Sequence, residues 1–279
     1  MPAERPRNPF GPFSDPLVAT AALAIWFVLL LRFQSAPELD LAAARWFFDA
    51  AACAASERAG GQYCEGFTLG AHPLLSLVRE ALHPLPVALG IVMLVAILVQ
   101  LGMGKRWRDA GIRVQTVLVS TLVLGPGLVV NGILKAHWGR PRPWMTEDFG
   151  GWLSFVEAGV KTDLCSSNCS FVSGEAATAG WLMCLALVLA VRRYAWPALA
   201  IGTVSVFMAG LRVAFGAHYL SDAVLGYTMT VAIFVVLAAI AEWSVSRRDR
   251  NPDSACAIEE TQYGARDFPA SNRPGNTSK

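Results

Sequence analysis

The strongest constraint on this chain is a set of six long apolar blocks separated by short polar stretches. A helix needs roughly 20 apolar residues to cross a hydrocarbon core of about 30 Å, where every backbone group must be hydrogen-bonded. Charged residues make up only 16% of the chain, whereas a soluble domain has about a quarter. We therefore exclude an ordinary soluble domain and predict an all-α, polytopic bundle of six transmembrane helices. The blocks cover residues 16–33, 84–103, 114–134, 174–191, 195–211 and 223–243.

The basic residues predict how this bundle is oriented. Loops that are rich in Lys and Arg stay in the cytoplasm. Such residues flank the N-terminus, fill the second and fourth loops and begin the tail: Arg5, Arg7, Lys105, Arg106, Arg108, Arg113, Arg192, Arg193, Arg247, Arg248 and Arg250. We therefore predict that both termini are cytoplasmic. The net charge of +2 gives no overall basic field that would attract nucleic acid.

The domain organisation follows from the same pattern. Residues 1–243 form the predicted membrane domain, and residues 244–279 form a polar tail that we expect to be cytoplasmic and disordered. The first outer loop contains two amphipathic stretches, residues 41–52 and 74–82, which predict short helices on the outer surface. In the first stretch, Trp46, Phe47 and Phe48 are expected to face lipid or the bundle.

Four cysteines lie in the predicted outer loops. Cys53 and Cys64 share the first outer loop, and Cys165 and Cys169 share the third. Disulfides persist outside the cytosol, so two bridges are possible. Pairing within each loop, Cys53 to Cys64 and Cys165 to Cys169, is one of three possible connectivities. A metal site is less favoured, because no outer histidine has the spacing of a zinc finger.

Two clusters of polar residues lie at the outer ends of the third and fourth spans. Lys135 and Arg142 belong to a Pro-interrupted segment that can direct both cations toward one phosphate. A basic membrane flank is the alternative, although it would oppose the positive-inside trend. Ser173, Gly174 and Glu175 open the fourth span, where a helix N-cap leaves amides free for an anion. That second pattern also fits an ordinary helix start.

A third cluster comprises Arg212, His218 and Asp222, at the outer ends of the fifth and sixth spans. If the chain is helical from His218, Asp222 lies one turn further on the same face and can fix one imidazole nitrogen. The other nitrogen is then free to act as a nucleophile or base. A structural histidine is the alternative, but ionisable groups at membrane depth favour a functional site.

The combined pattern Lys-x6-Arg-Pro, Ser-Gly and Arg-x5-His-x3-Asp resembles the type 2 phosphatidic acid phosphatase superfamily over spans three to six. The resemblance implies a six-helix bundle with a site at the outer leaflet, working without a metal or another cofactor. It also implies that His218 attacks phosphorus and forms a phosphohistidine, while Asp222 orients the imidazole. The phosphate-binding residues would be Lys135, Arg142, Ser173, Gly174 and Arg212.

Glu175 departs from this pattern, because the family usually has a histidine there that protonates the leaving oxygen. A glutamate can replace it only if its pKa is raised. Alternatively, His137 donates the proton, a good leaving group needs little help, or the protein is a relative that only binds its ligand. The sequence leaves these possibilities open.

Residues 165–175 resemble a glutamate-containing bacterial branch of the family, which includes lipid A 4′-phosphatases acting at the periplasmic face of the inner membrane. This resemblance implies hydrolysis of a membrane-lipid phosphate monoester, with lipid A and its 4′-phosphate as the leading substrate. Phosphatidate, phosphatidylglycerol phosphate and undecaprenyl diphosphate are rival substrates. A phosphotransferase and a protein that binds or transports an anionic lipid are the alternative functions.

Overall fold

The computed structural model describes residues 8–58 and 64–250. The regular elements in those ranges are helices, without any strand, and six helices are long and apolar enough to cross a membrane. The all-α, six-helix fold class predicted from the sequence is therefore confirmed. The helices are α1 (Pro16–Ser35), α2 (Glu38–Trp46), α3 (Ala50–Arg58), α4 (Thr68–Ala71), α5 (Pro73–Leu82), α6 (Leu85–Gly102), α7 (Ala110–His137), α8 (Gly174–Val191), α9 (Ala195–Ala214) and α10 (Leu220–Arg250).

The ends of the helices differ from the predicted spans where the ends are polar. The fourth span has the predicted bounds, because Ser173 caps α8 by accepting a hydrogen bond from the Ala176 amide at 3.2 Å. The last helix continues beyond residue 243 to Arg250, so residues 244–250 are helical rather than disordered. The rest of the predicted tail, residues 251–279, lies outside the described residues.

The first outer loop contains an additional helix break. The sequence predicts one helix over residues 41–52, whereas the structure has α2 and α3 with a break between them. Asp49 causes this break, because its carboxylate accepts hydrogen bonds from the Ala51 and Ala52 amides and so caps a new helix. Trp46 is 85% exposed, while Phe48 packs against the rings of Phe67 and Phe149.

The third span, α7, changes its winding halfway. Residues Val123–Leu134 form a π-helix that contains Pro126, whose ring nitrogen cannot donate a backbone hydrogen bond. The Asn131 side chain donates to the Pro126 carbonyl at 2.6 Å. The Gly-Pro-Gly sequence at residues 125–127 is thus accommodated by the wider winding of a π-helix.

The bundle core lies around α8, whose small residues allow close helix packing. A Cβ atom on Gly180 would lie 2.5 Å from the Tyr227 carbonyl oxygen of α10, so only glycine permits this approach. Trp181 donates to the Leu118 carbonyl of α7 at 2.7 Å, and Ser205 of α9 donates to the Ala179 carbonyl at 2.6 Å. These contacts join α7, α8, α9 and α10. The end of α7 meets the start of α8 at Asn131 and Gly174, and the starts of α8 and α10 meet at Ser173 and Asp222. The end of α9 reaches the same place, where Arg212 contacts Glu175.

The structure also decides between the possible cysteine pairings. Cys53 is bonded to Cys64, and Cys165 is bonded to Cys169. Pairing within each loop is therefore confirmed. Cys184 is a free thiol buried in α8, and Cys256 lies outside the described residues.

Candidate active site

The three polar clusters predicted from the sequence meet at one end of the bundle. Lys135 in the last turn of α7, Arg142 just beyond it and Arg212 near the end of α9 are close enough for their charges to act on His218. Lys135 is half-buried, whereas Arg212 and His218 are buried. Three cations therefore lie near one imidazole in a poorly solvated site, where their attraction for an anion is strengthened.

His218 is held as a neutral imidazole with one committed nitrogen. Its Nδ1–H donates to the Ser170 carbonyl at 2.8 Å, which leaves the Nε2 lone pair available. Burial, followed by the charges of Arg142 and Arg212, lowers the pKa of His218 well below the ordinary value of 6.5. A neutral imidazole with an available Nε2 has the state that a nucleophile needs.

Asp222 reaches His218 through a third residue rather than directly. The Ser170 hydroxyl donates to Asp222 Oδ2 at 2.5 Å, and the same oxygen accepts from the Tyr219 amide at 3.0 Å. The sequence predicts a direct contact on the assumption that the chain is helical from His218, but α10 begins only at Leu220. Ser170 thus lies between the carboxylate and the imidazole.

A buried arginine holds the other side of Asp222. Arg140 donates to Asp222 Oδ1 at 2.6 Å, to Asp40 Oδ2 at 2.8 Å and to the Val156 carbonyl at 2.8 Å. Asp40 of α2 also accepts from the Ser221 amide and hydroxyl, at 2.7 and 2.6 Å. Burial opposes the charge of Arg140, but Asp222 and then Asp40 outweigh it and raise the pKa of the guanidinium. The first outer loop is therefore tied to the base of the site by a closed ionic network.

The loop closed by the Cys165–Cys169 disulfide fixes the orientation of Arg142. Its Nε and Nη2 donate to the carbonyl and the side-chain oxygen of Asn168, at 2.8 and 2.7 Å. Asn168 adopts a positive φ of 51° inside the loop closed by Cys165 and Cys169. Burial lowers the pKa of Arg142 from its ordinary value, yet a guanidinium stays protonated at physiological pH. The loop thus presents Arg142 as a fixed cation.

Ser173 and Gly174 position the start of α8 against its neighbours. The Ser173 amide donates to the Asp222 backbone carbonyl at 3.0 Å, which joins the second cluster to the third. A Cβ atom on Gly174 would lie 2.5 Å from Asn131 Oδ1. The absence of a side chain at Gly174 therefore makes room for the Asn131 side chain of α7.

Glu175 is the centre of an ion-pair group that shares Arg212 with the cations near His218. Arg79 of α5 binds its carboxylate through both Nε, at 3.0 Å, and Nη2. Arg212 Nη1 lies 3.3 Å from Glu175 Oε2, and His83 Nδ1 lies 3.8 Å from the same oxygen. Opposite charges favour the ionised form of a carboxyl group, so these contacts hold Glu175 in place as a carboxylate.

Arg212 has spare hydrogen-bonding capacity within the cluster. Among the described residues, no group accepts a hydrogen bond from its buried Nε, and a buried unsatisfied donor is costly. A phosphoryl oxygen would satisfy this atom. His137, the alternative proton donor predicted from the sequence, has an exposed side chain at the end of α7, and the contacts described above do not include it.

Sequence reasoning missed several residues that complete the site. The sequence could have indicated Arg79 and His83, because residues four apart lie on the same face of a helix. Arg140 also had one, as a basic residue in the first cluster. The pattern gave no sign of Asp40, Asn168 or Ser170, which reach the site only through tertiary packing.

The fold and the site define a class of protein: a polytopic membrane protein with a cationic pocket around a neutral histidine, which suits phosphoryl transfer. A sequence profile described as the PAP2 superfamily matches residues 115–246. A lipid A 4'-phosphatase of Rhizobium leguminosarum is 41% identical over 220 residues, covering 78% of this chain and 94% of the relative. One of Rhizobium etli is 39% identical over 240 residues, covering 85% and 90%.

A lipid A 4'-phosphatase of Francisella tularensis subsp. novicida is 41% identical over 119 residues, which cover 42% of this chain and 54% of that relative. No solved structure matches the chain. The chain belongs to the PAP2 superfamily and is a phosphoric monoester hydrolase.

Proposed function

We propose that this protein is a metal-independent phosphatase that removes a phosphate monoester from a membrane lipid, with lipid A and its 4′-phosphate as substrate. The observation that carries the proposal is the neutral, buried His218 facing Lys135, Arg142 and Arg212. The names of the relatives support lipid A as the substrate class.

The proposed reaction proceeds in two steps through His218. Its Nε2 attacks phosphorus while the bond to the lipid oxygen breaks, which forms a phosphohistidine; water then cleaves the P–N bond. The cations of the pocket stabilise charge on the equatorial phosphoryl oxygens, where phosphoryl transfer needs it most. Ser170, held by Asp222, keeps Nδ1 protonated and Nε2 directed at phosphorus.

We propose that the site faces the periplasm from the inner membrane, with both termini cytoplasmic. The Cys165–Cys169 bridge lies in the loop that aims Arg142, and disulfides persist outside the cytosol. The apolar side chains exposed along the spans, including Leu17, Ile25, Leu98 and Val206, would face lipid. A lipid in the outer leaflet of that membrane could then bring its phosphate to the pocket.

The test is phosphate release from lipid A by the full chain, purified in detergent with EDTA present. We expect release with EDTA, loss of one phosphate from the 4′ position by mass spectrometry, and a drop on the order of 1,000-fold or more for His218→Ala. The exposed His72→Ala variant is the matched control. Full activity of His218→Ala, or loss of activity on removing metals, would contradict the mechanism.

Two further outcomes would indicate the alternative functions. Transfer of labelled phosphate to a lipid or sugar acceptor in place of water would indicate a phosphotransferase. Tight binding of lipid A without turnover would indicate a binding or transport protein.

A further inference from the structure

The group around Glu175 bears on how the lipid's leaving oxygen obtains its proton. When the P–O bond to an alcohol breaks, the electron pair remains on oxygen, and a positioned acid accelerates this step. Glu175 is only 18% exposed and is bound by Arg79 and Arg212. A carboxylate held by two guanidinium groups is a poor proton donor, and guanidinium groups do not release protons at physiological pH.

His83 is a titratable group beside Glu175 that remains accessible to a ligand. Its Nδ1 is 3.8 Å from Glu175 Oε2, an ion-pair separation, and its side chain is 57% exposed. Its backbone amide donates to the Arg79 carbonyl at 2.8 Å, so the two residues lie one helical turn apart on the face toward Glu175. An imidazole changes its charge near neutral pH, which suits acid–base catalysis.

We propose that His83 donates the proton to the leaving oxygen, that Glu175 holds its imidazolium group, and that Arg79 is a positioning residue that anchors Glu175. This inference rests on the proposed phosphatase function. It places the acid in the turn between α5 and α6, the second span, whereas the nucleophile lies between the fifth and sixth spans. Glu175 of α8 lies within ion-pair distance of His83, and its carboxylate also binds Arg212 of α9 and Arg79 of α5. Glu80 of α5 acts on the charge of Arg79.

His83 donates a proton in the first step of the reaction and recovers one in the second. In the first step, His218 Nε2 bonds to phosphorus, the lipid P–O bond breaks, and the His83 proton moves to the leaving oxygen. In the second step, neutral His83 takes a proton from the attacking water, and the P–N electron pair returns to His218. The products are the lipid alcohol and inorganic phosphate, and both histidines regain their starting states.

The test compares two phosphate esters with the same acyl chains, an acylated glucosamine 4-phosphate and an acylated nitrophenyl phosphate. The nitrophenolate group leaves without protonation, so it does not need the acid. We expect His83→Gln to lower kcat on the sugar ester on the order of 100-fold, with KM unchanged, and to abolish the fall in rate at high pH. The rate on the nitrophenyl ester is expected to stay close to that of the unsubstituted protein.

Matched variants separate this role from a structural one. His72→Gln, an exposed residue just before α5, is expected to leave both rates unchanged, and so is His137→Gln. Glu175→Gln is expected to impair cleavage of the sugar ester more than its binding. The double variant with His83→Gln should be no slower than the slower single variant, because both residues act on one proton transfer.

Each result bears on the inference in a defined way. Equal losses on the two esters, or an unchanged rate and pH profile of His83→Gln, would overturn the role of His83 while the phosphatase function stood. A sugar-ester loss in His137→Gln with His83→Gln unaffected would assign the acid to His137. An unsubstituted protein that cleaved neither ester nor lipid A would overturn the proposed function, and the inference with it.

Discussion

His218 owes its chemical state to the residues packed around it. The Ser170 carbonyl fixes the proton on Nδ1, while burial and three cations disfavour a second proton. Ser170 in turn donates its hydroxyl to Asp222. The Ser170 carbonyl therefore orients the ring, and the Ser170 hydroxyl lies between the imidazole and the Asp222 carboxylate, so that no full negative charge is placed against Nδ1.

The lowered pKa of His218 predicts a pH dependence of stability. An unfolded histidine binds a proton below about pH 6.5, whereas folded His218 does not. The unfolded state therefore binds more protons there, and the contribution to stability is complete above about pH 6.5 and declines as pH falls below it. We expect the thermal unfolding midpoint in detergent to decline between pH 7 and pH 5, and the decline to be smaller for His218→Asn.

His72→Asn supplies the control for this measurement, because the side chain of His72 is exposed. It is expected to keep the pH dependence of the unsubstituted protein. Equal slopes for His218→Asn and the unsubstituted protein would show that His218 does not titrate in this way.

At the scale of elements, α2 stabilises the start of α10. Asp40 binds Arg140 and both polar groups of Ser221, and all three residues are buried. Since Asp222 shares Arg140 with Asp40, displacement of α2 would also disturb the residue that holds Ser170. The first outer loop therefore stabilises the position of Asp222 through Asp40 and Arg140.

Removing Arg140 is expected to be severe. Arg140→Met leaves the Asp40 and Asp222 carboxylates buried without their counter-charge, and breaking a buried ion pair in this way costs about 3–5 kcal/mol. The double variant with Asp40→Asn should recover part of that loss. The measurement is the free energy of unfolding in detergent by denaturant titration, with phosphate release recorded on the same samples.

A surface ion pair that includes Arg45 of α2 provides the comparison for Arg140→Met. Arg45 lies 3.5 Å from Asp148 and is 62% exposed, so Arg45→Met is expected to change stability little, since solvent screens the pair. A similar loss for Arg45→Met and Arg140→Met would show that burial of the network is not the reason for its effect.

At the scale of the whole molecule, the cysteines can test the orientation of the bundle. We expect a membrane-impermeant maleimide to label Cys53, Cys64, Cys165 and Cys169 in spheroplasts only after mild reduction. Cys184 is buried in α8, so it should react only after unfolding. Cys256 should react only when the inner membrane is broken.

Variants with a single remaining loop pair, or with Cys256 alone, assign each label to its side. Labelling of Cys256 in intact spheroplasts, with the loop cysteines protected even after reduction, would show the reverse orientation. That result would move the site to the cytoplasm and contradict the proposed periplasmic activity.

The sequence by itself determined the six spans and the gathering of three polar clusters at one end. Both follow from local requirements, because each span must satisfy its own backbone in hydrocarbon and successive spans must alternate in direction. The start of α8 was equally local, since Ser173 caps the helix with its own side chain. The π-helical winding around Pro126 was not predicted from the sequence.

Only the tertiary structure decided which groups touch within the site. Asp40 and Ser221 are 181 residues apart, and Arg79 and Glu175 are 96 apart, so no spacing along the chain relates them. A buried charge is stable only beside its counter-charge, and helix packing selects that partner. The sequence therefore singled out His218 and the cations near it as candidate site residues, and the packing of α2 and α5 determined which residues hold Asp222 and Glu175.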